Sequence, residues 1–209
     1  MKKSLMCKLC RREGKKLFLK GDRCNTSKCA IVKRNYLPGQ HGHKQGPTRK
    51  MSVYGRQLRE KQTARRLYNI KENQFSLYFK KATRKKGNSE EHFFTMLESR
   101  FDNVIFRLGL ATSRNQARQM IGHGHFLING KKVNIPSYQL KVNDAIDVKK
   151  KSLETPLFKN AAERLKTQES PEWLYFDLKT MSAKVLAAPD FKKSVTDFDM
   201  KQIVEYYSR

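Results

Sequence analysis

Acidic residues are scarce in this 209-residue chain: 19 Asp and Glu stand against 45 Lys and Arg, for a formal net charge of +26. A charge that large opposes compaction by self-repulsion, so a polyanion is expected to neutralise it, with RNA, DNA and an acidic membrane face as candidates. Long apolar runs are lacking too. No stretch reaches the roughly 18 apolar residues that a spanning helix needs, so no segment is expected to span a membrane. The start, Met1-Lys2-Lys3-Ser4-Leu5-Met6-Cys7, has no apolar segment after its lysines and does not read as a secretory signal. The expected location is the cytoplasm, where thiols stay reduced. Catalytic signatures are also absent: no P-loop, no G-x-S-x-G, no GxGxxG and no H-E-x-x-H. The five histidines show no suggestive spacing to acids. An enzyme, and with it a small-molecule substrate, is not expected.

What is present is unevenly placed. Residues 1–50 hold 15 Lys and Arg against two acids, whereas residues 152–209 hold nine of each. The basic stretches suit a nucleic-acid surface; the balanced tail suits scaffold or a protein contact. A hydrophobic content of 38% supports a modest core in one or two small domains.

All four cysteines lie in the first segment, as Cys7, Cys10, Cys24 and Cys29, a C-x2-C-x13-C-x4-C pattern. Two close pairs separated by a loop suit tetrahedral thiolate ligation of one structural Zn2+, with an iron–sulfur cluster as the alternative. Neighbouring lysines and arginines favour the thiolates. The segment has no sustained periodicity, so ion binding would supply its folding energy. Disulfides fit a reducing compartment poorly.

Downstream, the periodicity is helical. Ser52 reads as the N-cap of a helix to Tyr68, with Arg56, Arg59 and Arg66 on one face and Tyr54 and Leu58 turned toward a core. Helices are expected over Glu72–Lys86 and Glu90–Leu97. Leu97, Phe101, Val104, Ile105 and Leu108 form the buried stripe of a helix, with Arg100, Asn103 and Arg107 on another face. Ser113 and Gln116 have capping-box spacing at the start of the next helix. There Ala117, Met120 and Ile121 face inward and Arg114 and Arg118 outward. Gly122-His123-Gly124-His125 breaks it. Phe126–Ile128, the turn Asn129-Gly130 and Lys131–Val133 predict a type I′ hairpin. Strands follow at Ala145–Val148 and Leu174–Leu178, then a last helix over Asp199–Tyr206. Arg114, Gln116 and Arg118 cluster where backbone N–H groups also favour phosphate, and Lys131 and Lys132 project from the hairpin. Tyr36, Tyr54 and Tyr68 are candidates for stacking on unpaired bases or for filling the core.

Long motifs then resemble one family. Tyr36-Leu37-Pro38-Gly39-Gln40-His41-Gly42 is similar to the YPPGQHG loop of the fourth small-subunit ribosomal protein family. Residues 52–62, SVYGRQLREKQ, resemble its SEYGxQLREKQ helix. Residues 98–130 resemble its RNA-binding module, and Ile203-Val204-Glu205-Tyr206-Tyr207-Ser208-Arg209 its IVExYSR end. Leu37 departs from a usual proline, and residues 179–200 match poorly. The resemblance implies a zinc-carrying bacterial member on the ribosome. It would bind the five-prime domain of small-subunit ribosomal RNA and nucleate assembly of the subunit body. It would contact the fifth small-subunit protein, which bears on decoding accuracy, and with the third line the path by which messenger RNA enters. Carried over by position, the RNA contacts are Tyr54, Arg56, Arg59, Lys61, Arg65, Arg66, Ser113, Arg114, Gln116, Arg118, His123, Gly124 and His125. Tyr36, Gln40, His41, Lys50, Arg100 and Lys131 complete the candidate surface.

The expected fold is α+β and multidomain: a zinc-stapled N-terminal arm (1–48), a helical domain (49–98, completed by 188–209) and an inserted α/β RNA-binding module of two helices and a small antiparallel sheet (99–187, core 99–151). Two other readings are an RNA-modifying enzyme carrying the same module and a zinc-dependent DNA-binding regulator.

Overall fold

The computed structural model describes residues 3–42, 51–165, 170–194 and 196–208. Lys50 falls outside them. The chain forms two compact units, residues 1–77 with 195–209 and residues 78–194, and the division falls within one helix.

The first unit opens with α1 (Lys3–Glu13), a 3-10 turn (Gly21–Asn25) and the short α2 (Ala30–Lys33). Next comes α3 (Val53–Leu67), N-capped as expected by Ser52, whose hydroxyl accepts from the Gly55 amide at 3.1 Å. The start of α4 (Glu72–Thr83) follows; it stops three residues short of the expected Lys86. The C-terminal helix, labelled α10 (Met200–Tyr207), packs on α3 and is N-capped by Asp199. The buried stripe of α3 runs through Gln57, Lys61, Ala64 and Tyr68, an i, i+4, i+7, i+11 spacing. Tyr68 is therefore core, edge-on to Phe198 at 6.2 Å.

The second unit begins in α4 and continues with α5 (Ser89–Glu98), α6 (Phe101–Arg107) and α7 (Arg114–Gly122). The hairpin β1 (Phe126–Ile128) and β2 (Lys131–Lys132) follows, then β3 (Ala145–Val148), α8 (Lys150–Leu153), α9 (Pro156–Leu165), β4 (Leu174–Asp177) and β5 (Ser182–Val185). The sheet order is β2-β1-β3-β5-β4, antiparallel throughout, so the tail strands extend the sheet begun by the hairpin. Asn129 and Gly130 take φ +49° and +76°, the two positive values a type I′ turn requires. Phe126, Ile128, Ile146, Val148, Ala183 and Val185 bury one sheet face against α6 and α7, following the two-residue period of a strand.

The stripe Leu97–Leu108 is buried as expected, but it lies on two helices rather than one. Arg100 is extended between α5 and α6 (φ −64°, ψ 136°) and bridges to Gln139. Its side chain turns into the protein and is 2% exposed.

Candidate nucleic-acid interface

In the first unit, Arg56 and Tyr54 are exposed at the start of α3. Tyr54 was expected to face the core; it stands clear of the buried stripe, 5.8 Å from the ring of Tyr206. Arg59 and Arg66 both donate to Glu13, a buried carboxylate at the end of α1. Burial pulls the Arg66 guanidinium below its ordinary value, with Glu13 opposing. Arg65 is half-buried and donates to Gln62 at 3.0 Å. Lys61 corrects the expectation of an RNA contact. It is 4% exposed, its Nζ donates to Glu72 at 2.8 Å, and it sits 4.7 Å from the Tyr206 ring centre. It holds α10 against α3 instead. Tyr36 is half-buried with the Arg11 guanidinium 4.4 Å above its ring, while Gln40 and His41 are exposed.

The cysteines converge. Cys10, Cys24 and Cys29 are buried, Cys7 is half-buried, all four are free thiols, and all line one cavity. Burial pushes the Cys10 and Cys24 thiols up; backbone bonds from Leu17 and Lys20 oppose it, and the other cysteines raise them further. Four cysteine sulfurs lining one cavity are of the donor type that a structural cation takes. Among the described residues the sulfurs are not gathered into a group of three or more able to hold one as they stand.

In the second unit, three expected contacts turn out to be interior. Arg100 is buried: Nε and Nη2 donate to the two oxygens of Asp102 at 3.0 and 2.8 Å, and Nη1 donates to the Tyr78 hydroxyl at 2.6 Å. Burial lowers its proton affinity, but Asp102 and Tyr78 outweigh that and raise it overall. Arg114 lies 4.5 Å from the Phe106 ring centre and donates to Asn103 at 2.8 Å. Ser113 is buried as the N-cap of α7, accepting from the Gln116 amide. The reciprocal half of the capping box shifts by one residue, because Gln116 Oε1 accepts from the amide and hydroxyl of Thr112, both at 2.7 Å.

Gln116 and Arg118 are half-exposed on α7, His123 is exposed at its end, and Lys131 and Lys132 are exposed on β2. Gly124 takes φ +72°, with the Lys132 side chain laid across it. His125 Nδ1 pairs with Ser152 Oγ at 2.9 Å; burial, then His123 and Lys149, pull the imidazole below its usual value.

Beneath these residues lie acids that sequence reasoning passed over. Asp102 also accepts from Arg118 Nε at 3.1 Å. Glu98 takes Arg107 through Nε and Nη2 at 3.0 and 2.9 Å, and the Asn103 amide at 2.9 Å. The pairings span two to 53 residues, so no local spacing signals them.

Comparison with known proteins agrees along the chain. Residues 2–98 match the family described as Ribosomal protein S4/S9 N-terminal domain, and residues 99–146 match the S4 domain. The small ribosomal subunit protein uS4 of Heliobacterium modesticaldum is 54% identical over 204 residues, covering 98% of this chain and 97% of that protein. Those of Pelotomaculum thermopropionicum and Thermotoga maritima are 52% and 48% identical, again over 98% of this chain and 97% of each relative. The chain therefore belongs to the uS4 family of small ribosomal subunit proteins.

Proposed function

We infer that this protein is a structural component of the small ribosomal subunit, that it binds small-subunit ribosomal RNA, and that it is not an enzyme. The observation carrying the reading is kinship with proteins named small ribosomal subunit protein uS4 along nearly the whole chain. Arg56 on α3, the half-exposed Arg118 on α7 and the exposed lysines of the hairpin supply the matching chemistry: they neutralise phosphate, and phosphate spacing on a folded RNA gives shape recognition without reading base sequence. Among the described residues no helix is long and apolar enough to cross a membrane.

Finer parts rest on the motif resemblance. The RNA target is the five-prime domain, and binding there nucleates the subunit body. The fifth small-subunit protein is a neighbour through which decoding accuracy is affected; the third protein and incoming messenger RNA are further neighbours. The chain is of the zinc-carrying type. Cys7, Cys10, Cys24 and Cys29 hold one structural Zn2+ as a tetrathiolate, and the ion supplies folding energy to the N-terminal segment. Its support is the convergence of four free thiols on one cavity.

The test is competition binding near 0.15 M salt between a five-prime-domain transcript and duplex DNA of equal length. Preferential, salt-sensitive retention of the transcript is expected. Equal or tighter retention of the duplex would favour a DNA-binding regulator and sink the reading.

A further inference from the structure

Three of the chain's acids lie almost wholly inside the protein. The side chains of Glu13, Glu98 and Asp102 are 1%, 2% and 1% exposed. Each carries an arginine that reaches the surface: Arg118 on Asp102 is 33% exposed and Arg107 on Glu98 is 32% exposed, while Arg59 and Arg66 on Glu13 are partly exposed. The arrangement occurs in both compact units, on unrelated elements: α1 with α3 in one, α5 to α7 in the other.

A buried carboxylate is costly to desolvate unless it is paired with good geometry. An arginine supplies that geometry, because its planar fork matches a carboxylate edge-on through two N–H groups. Arg107 does this in full, and Arg118 presents Nε and Nη2 to one Asp102 oxygen. A guanidinium anchored by one edge loses its rotamer freedom while part of it still faces water. A flexible surface arginine would lose that freedom only on binding RNA, at the expense of affinity.

We propose that Asp102, Glu98 and Glu13 are positioning residues that preset Arg118, Arg107 and the pair Arg59 and Arg66 to meet RNA phosphate. This rests on the RNA-binding reading above and adds to it. Arg107 joins the phosphate-binding set, and three acids in a polycation serve anion binding.

Simple charge counting predicts the opposite sign for the test. Asp102→Asn, Glu98→Gln and Glu13→Gln each raise the net charge by one, so a protein that binds RNA by charge alone binds tighter. Presetting predicts that each variant binds a five-prime-domain transcript about three- to tenfold more weakly. It also predicts that the slope of log affinity against log salt falls in magnitude by about 0.9 for each phosphate that the variant no longer neutralises. Asp102→Asn also removes a partner of buried Arg100, so Glu98→Gln and Glu13→Gln carry the test should it fail to fold. A measurement on the wild type needs no folded variant: NMR relaxation of arginine Nε–Hε groups in the RNA-free protein. Ordered signals for Arg107 and Arg118, unlike those of exposed Arg56, are expected; mobile ones overturn the proposal. Wild-type binding with variants as tight or tighter at unchanged slope overturns it too. Failure of the wild type to bind strikes the RNA reading instead, and the relaxation data still judge the presetting.

Discussion

Phe101 and Lys61 mark two ways in which a side chain becomes structural here. Phe101 is fully buried at the start of α6, edge-on to Phe126 at 5.9 Å, in the cluster that joins helices to sheet. Truncation removes its transfer free energy and leaves a cavity that stiff neighbours cannot fill. Phe101→Ala is expected to cost about 3–5 kcal/mol of stability, read from urea unfolding; a loss under about 1 kcal/mol would show that the site collapses freely. Phe101 was legible from spacing alone, because burial of an apolar stripe follows from helical period. Lys61 was not. Its place in the α3 motif marks it for RNA, yet Glu72 and the rings of Tyr206 and Tyr207 enclose it. Those partners lie 11 or more residues away, and only the packed fold brings them together. Arg100 and Arg114 were expected at the RNA surface, but the turn between α5 and α6 and the α6–α7 packing direct them inward, Arg100 onto an acid only two residues away.

At the scale of elements, α10 is held to α3 by a junction that pH can address. Burial pushes the Glu72 carboxyl up, but hydrogen bonds from Lys61 and Tyr207 outweigh it and leave the group below its ordinary 4.5. Tyr207 is itself pushed up by burial and by Glu72. A carboxyl depressed in the folded state stabilises fully above its unfolded value, and the gain is lost as pH falls through the folded value. The urea midpoint of the wild type is therefore expected to exceed that of Glu72→Gln near pH 7, with the gap closing below pH 4.5; a gap that stays constant down to about pH 3 would remove Glu72 from the junction. Caps and turns at this scale were legible in part: Ser52 and Ser113 cap as their side chains allow and Asn129-Gly130 turns where the two-residue signal puts it, whereas Asp199, expected as the first residue of the last helix, is its N-cap. The break at Arg100 was hidden because the apolar residues keep helical phase across it. Only the turn of Arg100 toward Asp102 and Tyr78, and its bridge to Gln139, interrupts the backbone.

For the molecule as a whole, the excess of cations governs partner choice, and the bound ion proposed for the cysteine-bearing segment governs how much of the chain is folded before the partner arrives. One zinc per chain is expected by elemental analysis. Cys24→Ser should release it and abolish amide protection across α1 and the 3-10 turn, while protection of the β1–β3 sheet persists. A full zinc complement in that variant would remove Cys24 from the ligand set, and none in the wild type would remove the tetrathiolate altogether. The sheet is spared because its core residues all come from positions beyond 100.

Composition and local pattern alone determined the excess of cations, where α3, α4, α7 and the hairpin begin, and which apolar stripes are buried, though not α1, α2, α8 or α9. These are properties of nearest neighbours along the chain and of summed charge, so tertiary contacts are not needed to express them. Which arginines face water and which are consumed inside was decided only by the fold. That choice depends on where a few acids are buried, and an acid's burial depends on elements distant in sequence closing over it.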